Sequence, residues 1–342
     1  MGSNILIVGG KGIVGKTIHR ILRSRNQEYN IYIGSRKKGI TEYDIMIDVN
    51  KPETFEAIVN RNIDLIILAV NDQDDHILRF AIDNSIDYID ITKPTPDLVK
   101  ALAIAKTTQN INSRIVFSSG WMGGLVSGLM NILSHNPENI QEVKLYVYYS
   151  IKDLAGESSA HFMAENVARP FISYQSNRQI SVRHFLNSED FKFSFGIGKR
   201  QAYNFDVPDL YILNQIEKIP TVNVKMTYDS KFITWLLGTF QKLRIFSILS
   251  LKARRVIFGS SGNGDQSVFE IVIKDDQREK KLSLQSKKGQ AELTALAAVL
   301  HAEMLLHGDF KNKIYFAHQL HDPKKLYQSL AEYEGITIET KI

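Results

Sequence analysis

The 342-residue chain has no cysteine. That excludes a disulfide framework, a thiolate-ligated metal and thiol catalysis together, and it accords with a reducing, cytoplasmic setting. An excess of one charge is lacking too: 42 Lys and Arg are interspersed with 37 Asp and Glu, leaving a net +5. No basic stripe tracks a phosphate backbone, so nucleic acid is not an expected partner, whereas a small anionic ligand is easily accommodated. There is no uninterrupted apolar run of about 18 residues that would span a bilayer. The nearest approach, residues 232–251, is broken by Gln241, Lys242 and Arg244. It reads as a buried or subunit-facing helical segment, with contact to a membrane surface the less favoured use. The first residues carry no basic region followed by a cleavable apolar one, so no secretion signal is expected.

What is present is the composition of a globular protein, 44% hydrophobic and 23% charged. The chain exceeds the size at which single cores stop growing, so two domains are expected. Short β-favouring runs at 4–8, 30–34, 44–48, 63–70, 86–91 and 114–118 recur, several separated by helical stretches such as that of Ile77, Phe80 and Ala81. Strands joined through helices predict an α/β domain with a doubly wound parallel sheet. After Gly120 the texture changes. Val143, Leu145, Val147 and Tyr149 alternate with Lys144, Tyr146 and Tyr148, as in a half-buried strand, and 268–273 and 281–285 are its expected partners across a turn containing Asp275 and Asp276. A second α+β domain with a largely antiparallel sheet follows. Its apolar segment 291–306 reads as a buried helix. The expected division is 1–122, with 308–342 packing back on it, and 123–307 as a substrate and dimerisation domain, a homodimer being the ordinary assembly.

Gly10-Lys11-Gly12-Ile13-Val14-Gly15 stands directly after the first strand and before a helix whose Ile18, Ile21 and Leu22 share a face. In that frame the glycines have separate tasks: a tight turn at Gly10, close backbone approach to a pyrophosphate at Gly12, and helix-on-strand packing at Gly15. The helix N-terminus offers unpaired N–H groups to the phosphates. This is the phosphate-binding turn of a Rossmann domain. The second strand ends Gly34-Ser35-Arg36-Lys37-Lys38, with no Asp or Glu to accept a ribose 2′-OH. A hydroxyl and three cations there favour a 2′-phosphate, so the expected cofactor is NADP(H). Asp48 and Val49, ending the third strand, are placed beside the adenine, and Ala69, Val70 and Asn71, ending the fourth, near the nicotinamide ribose.

Ligands in such sheets bind beyond the carboxyl ends of the strands. Asp90 and Lys93 follow the fifth strand and Ser119 the sixth, and these three are the candidate catalytic residues. Asp90 can orient an amine or accept a proton, or serve as a turn-forming carboxylate. Tyr148-x-x-x-Lys152 matches the spacing used by short-chain reductases, but there both residues ride one helix, and here they fall on or beyond a strand. Gly9-x-x-Gly12-x-x-Gly15 also fits extended members of that family, so a carbonyl reductase stays open. His318 and His321 have metal-like spacing without a third ligand, and no metal site is expected. His161 and Glu165 face an active site only if 158–169 is helical.

In order, GGKGIVGKTIHRIL, GSR, IDYIDIT, SSGWMGGLVSGLMNIL and the C-terminal GQAELTALAAVLHAEMLLHG resemble the saccharopine dehydrogenase-like (saccharopine reductase-type) oxidoreductases over nearly the whole chain. The resemblance implies hydride transfer at a carbon–nitrogen bond of an amino acid, oxo-acid-derived imine or polyamine-like amine, with Asp90 in the active site. Met122-Gly123-Gly124 departs from the family's usual Pro-Gly pattern, and the chain is shorter than the saccharopine-forming enzymes. A third reading is a non-catalytic NADP(H)-binding or membrane-associated regulator.

Overall fold

The computed structural model describes residues 2–341 except 38, 92, 110, 135–136, 154–155, 260–265 and 276–277. Lys38, Thr92 and Asp276 of the sequence reading therefore lie outside the described residues. The chain divides into two compact units, residues 1–125 with 291–321, and 126–290 with 322–342.

The first unit is built on β1 (Asn4–Val8), β2 (Asn30–Ser35), β3 (Asp44–Met46), β4 (Leu65–Leu68), β5 (Asp87–Asp90), β6 (Ile115–Phe117) and a late strand, Ile314–Phe316. All seven run parallel, in the spatial order Ile314–Phe316, β6, β5, β4, β1, β2, β3. Ile5 to Val8 and Leu65 to Leu68 are buried without alternation, as strands covered on both faces must be. The helix Ile13–Arg25 turns Gly15, Ile18, Ile21 and Leu22 inward. Its outer side is tied to residues 291–307 of a long helix by Arg20–Glu292 and Arg25–Glu303 ion pairs. Chain order reverses between β1 and β4, which leaves a crevice beyond their carboxyl ends because the connecting helices leave in opposite directions.

The second unit carries β7 (Glu142–Tyr149), β8 (Pro170–Gln175), β9 (Arg178–Arg183), β10 (Glu189–Phe193), β11 (Gly198–Asn204), β12 (Thr221–Tyr228), β13 (Ser267–Lys274), β14 (Glu279–Ser286) and a last strand, Ile336–Lys341. The main path runs β10, β11, β12, β7, β13, β14, Ile336–Lys341, with β8 and β9 attached at β12. Among the described residues, only the β12–β7 pairing of this sheet is parallel.

Three expectations change. The outer face of β7 is dry beyond the half-buried Lys144: Tyr146 and Tyr148 are 4% and 5% exposed, because Phe191 and Phe193 of β10 cover them, Phe191 stacking on Tyr146 at a 3.6 Å centroid distance. The expected division moves: 291–307 belongs to the first unit rather than the second, and the C-terminal segment 308–342 does not stay together, since Asp322 onward belongs to the second unit, where Ile336–Lys341 completes its ladder on β14. Residues 232–251 form separate short helices, and the buried side of the first is carried by Thr234, Leu237, Gly238 and Gln241, leaving Phe232 and Trp235 outside. Among the described residues, no helix is long and apolar enough to cross a membrane.

Candidate functional site

The glycine turn is formed by backbone alone. Gly9, at φ +88°, is the left-handed residue of the turn, one position before the Gly10 to which the tight turn was assigned, and a Cβ there would stand 2.3 Å from Val70 Cγ1. Gly10 keeps an ordinary φ and is required by packing, since its Cβ would meet Ile33 Cγ2 at 2.9 Å. At Gly15 a Cβ would fall 2.4 Å from Gly9 O and 2.7 Å from Gly10 Cα, closer than real side chains approach. Gly12 differs: its Cβ would meet only Gly9 O, at 3.2 Å. Position 12 is thus the least crowded of the four, although a carbonyl oxygen at 3.2 Å is a tight contact to which the turn would have to yield by a few tenths of an ångström.

Gly12 is also the N-cap of the helix Ile13–Arg25, where no side chain caps the free N–H groups and no acid stands in the first turn. An uncapped N-terminus that begins on a glycine without a side chain fits a phosphate group. Lys11 reaches across to Asp44 at 3.0 Å, tying the turn to β3. That hydrogen bond, with others from Thr41, holds the Asp44 carboxyl down at about 2.

Ser35 Oγ donates to Lys37 O at 2.9 Å and curls the chain after β2, leaving Arg36 and Lys37 exposed. Asp48 is half-buried and its Oδ1 accepts the Asn50 N–H at 3.1 Å, while Val49 O contacts His76 Nδ1 at 2.8 Å. Ala69 continues the ladder by donating to Val8 O at 2.8 Å, Val70 lies against Gly9, and Asn71 is exposed.

Beyond β4 and β5 the chemistry is carried by side chains. Asp90 and Lys93 are only 1% and 4% exposed. Asp90 Oδ1 accepts the N–H of Ser118 at 2.8 Å, holding that residue at φ +58°, while Oδ2 has no hydrogen-bond partner. Burial pushes the Asp90 carboxyl up to about 6, against the opposing pull of Lys93 and the Ser118 N–H. Lys93 Nζ lies 2.9 Å from Asp75 Oδ1 and 3.3 Å from Asp72 O. Burial disfavours its ammonium, but Asp90, Asp75 and Asp72 outweigh that and hold its pKa above the usual lysine range. Asp72, raised by burial, accepts the Ile77 N–H at 2.8 Å at the start of the helix His76–Asp83. Asp75 caps the same turn at φ +56°, a conformation aspartate tolerates. Tyr88, two residues before Asp90, is fully buried with an unpartnered hydroxyl, and burial beside these acids keeps it protonated.

Ser119 is fully buried and donates its N–H to Asp90 O at 2.9 Å. Its carbonyl lies 2.9 Å from Nδ1 of the buried His301. A carbonyl can only accept, so Nδ1 carries the proton and Nε2 is the bare acceptor. Burial holds His301 well below the usual histidine range, hence neutral. The ring of His321 packs edge-on to it at 4.9 Å.

Asp90, Lys93 and Ser119 are thus brought together, and Asp72, Asp75, Tyr88 and His301 join them from positions the sequence reading missed. Two signals were available: Tyr88 shares a strand face with Asp90 by the period of two, and the acid-rich NDQDD follows directly on β4. His161 and Glu165 do form a helical pair, at 3.1 Å, but in the second unit. Tyr148 lies within β7 and Lys152 is exposed in the turn beyond it, so the helical pair a short-chain reductase requires is not formed.

No protein-family model and no curated protein matches the sequence. Solved structures do match. A homospermidine synthase from Legionella pneumophila in complex with NAD aligns with a TM-score of 0.62 at 9% identity, over 98% of this chain and 91% of that one. The C. glutamicum DAP dehydrogenase in complex with DAP gives 0.51 at 12%, over 97% and 99%. An engineered D-amino acid dehydrogenase bound to NADP+ gives 0.50 at 13%, again over 97% and 99%. At these identities the likeness is one of fold: here, a parallel seven-stranded sheet of Rossmann type and a second, mixed-sheet domain.

Proposed function

We propose that this chain is an NADP(H)-dependent oxidoreductase of the saccharopine dehydrogenase-like type, acting at a carbon–nitrogen bond of an amine, an amino acid, or the imine of an amine and an oxo-acid. The observation that carries the reading is the uncapped helix N-terminus beyond β1, with glycine at its N-cap Gly12, at the point where the sheet's chain order reverses. The fold supports it, being common to enzymes whose names place NAD, NADP+, DAP and homospermidine with them.

In this reading Ile13, Val14 and Gly15 offer their backbone N–H groups to the pyrophosphate, while Gly10 and Gly12, whose own N–H groups donate to Ile7 O and Gly9 O, shape the turn and let the phosphate approach. Ser35, Arg36 and Lys37 take the 2′-phosphate, Asp48 and Val49 border the adenine, and Ala69, Val70 and Asn71 border the nicotinamide ribose. The bound nucleotide supplies or accepts a hydride. In the reductive direction the imine carbon gains that hydride and the nitrogen gains a proton, consuming NADPH and a proton and forming NADP+ and the amine. Three buried carboxylates around one buried ammonium favour a cationic nitrogen at the reacting end. Lys93 and the Ser119 backbone border that end. Asp90, whose Oδ1 is held by the Ser118 N–H, is a positioning residue that fixes the Ser118–Ser119 turn and balances Lys93.

Titration of the purified chain with NADPH and NADH, repeated on Arg36→Ala, tests the cofactor half. The expected result is an NADPH affinity that falls about 10- to 100-fold in the variant, the size of a lost charge-assisted phosphate contact, with NADH unchanged. If neither nucleotide binds the wild type, the oxidoreductase reading is removed altogether.

A further inference from the structure

A separate feature lies wholly in the second unit and uses none of the residues assigned above. Between Asp229 and Asp265 the chain carries no acid, while Lys231, Lys242, Arg244, Lys252, Arg254 and Arg255 supply six cations. This stretch folds as the helices Lys231–Lys242, Ile245–Ile248 and Leu251–Phe258. The first lies flat on β11: a Cβ on Gly238 would stand 2.8 Å from Tyr203 Cε1. On its outer side Phe232 and Trp235, one turn apart with ring centroids 6.0 Å from each other, are 66% and 53% exposed. Leu243, Ile248 and Val256 follow at 63%, 82% and 75%. Free large apolar side chains among cations, with no acid between them, are the pattern of a helix that rests in a lipid–water interface.

A cavity of about 400 Å³ opens beside Trp235, and Asp190, Lys199, Arg200, Tyr203 and Lys231 are among its walls. Asp190 is paired with Lys199 at 2.8 Å, which leaves Arg200 and Lys231 to set the cavity's charge. Arg200 Nε is buried without a hydrogen-bond partner. Trp235 belongs to both the cavity wall and the exposed apolar side, so a ligand with an anionic head and an apolar tail would meet both at once. A second copy of the chain is a poorer occupant, because a two-fold contact on this face would set six cations against themselves with no acid in the stretch to neutralise them.

We infer that this face docks on an anionic phospholipid surface, Phe232 and Trp235 entering the headgroup–acyl boundary and the Arg200–Lys231 cavity taking a lipid phosphate. Docking of this kind needs no membrane span; it rests on buried apolar area added to attraction for anionic lipid.

Co-sedimentation of the full chain with phosphatidylcholine vesicles, with and without phosphatidylglycerol, tests the inference. Binding is expected only with phosphatidylglycerol, and high salt should release it. Trp121 is 3% exposed and Trp235 is the other tryptophan, so a blue shift and quenching by brominated acyl chains will report Trp235 and vanish in Trp235→Phe, which still sediments. Phe232→Ser with Trp235→Ser, and separately Arg200→Gln with Lys231→Gln, should each weaken binding about tenfold or more. Unchanged far-ultraviolet circular dichroism and melting in both variants certify the fold. Absence of binding, or equal binding to both vesicle types, would overturn the inference. So would a dimer in light scattering that the Phe232 and Trp235 changes dissociate, which would assign the face to a second copy. Release by inorganic phosphate at an ionic strength where chloride has no effect would overturn it in favour of a free anion.

Discussion

Two neighbouring corners at the carboxyl end of the parallel sheet are built by opposite means. Beyond β1 the chain presents backbone: four glycines, an uncapped helix start and one surface ion pair. Beyond β4 and β5 it presents side chains, with Asp72, Asp75, Tyr88, Asp90 and Lys93 all 2% exposed or less apart from Lys93 at 4%. A corner made of backbone tolerates charge changes and is intolerant of volume. A corner made of buried charge has the reverse sensitivities, because each ion is kept from water only by its partners.

The strongest way to sharpen that contrast is Lys93→Met. It leaves three buried carboxylates without their ammonium, and the expected loss is about 3–5 kcal/mol of unfolding free energy at neutral pH, recovering toward acid pH as the carboxylates take protons. Denaturant titrations at two pH values read it directly. A loss below about 1 kcal/mol would mean that the cluster is wet rather than dry.

Asp90 comes next. Its carboxyl titrates near 6 in the fold, against about 4 in an unfolded chain, so the native state binds the proton more tightly. Its contribution to stability is then complete below about pH 4 and is lost as pH rises through about 6, by about 3 kcal/mol. Asp90→Asn should remove that share of the slope, so the difference between the wild-type and variant stability curves changes over this window and is flat above it. The same variant should keep NADPH affinity and lose turnover; equal turnover would take Asp90 out of the proposed reaction.

The glycines provide the smallest effects and the cleanest separation. Gly15→Ala must move Gly9, and about 1–3 kcal/mol of stability should go with it, as for other overpacked sites. Gly12→Ala meets only one backbone oxygen at 3.2 Å and should melt close to the wild type. Its nucleotide affinity should nonetheless fall about tenfold or more if a pyrophosphate lies against that position. Equal nucleotide affinity in Gly12→Ala would break the comparison, because the glycine there would then serve no ligand.

The two corners also differ in how far they could be read in advance. The spacing of Gly10, Gly12 and Gly15 and the basic Ser35-Arg36-Lys37 stretch were visible because a tight backbone turn writes its requirement into adjacent residues. Even so, the left-handed residue is Gly9, one position earlier, since φ depends on how the turn meets Val70 of another strand. Asp90 and Lys93 stood out as residues at a strand end. Asp72 and Asp75 did not, because their meeting with Lys93 depends on the β4–β5 register, Leu68 opposite Asp90, and on a left-handed Asp75.

By itself the sequence determined the parallel strands and the glycine turn, since periodicity, β-branched runs and backbone freedom act over a few neighbouring residues. Only the tertiary structure decided what long-range pairing decides. Phe191 and Phe193 dry the Tyr146 and Tyr148 side of β7, Ile336–Lys341 closes on β14 rather than joining the first unit, and three carboxylates, Asp72, Asp75 and Asp90, converge on Lys93. The physical reason is the same in each case: a side chain's exposure and charge state depend on which strand is hydrogen-bonded beside it, and that choice is made by packing across the whole chain.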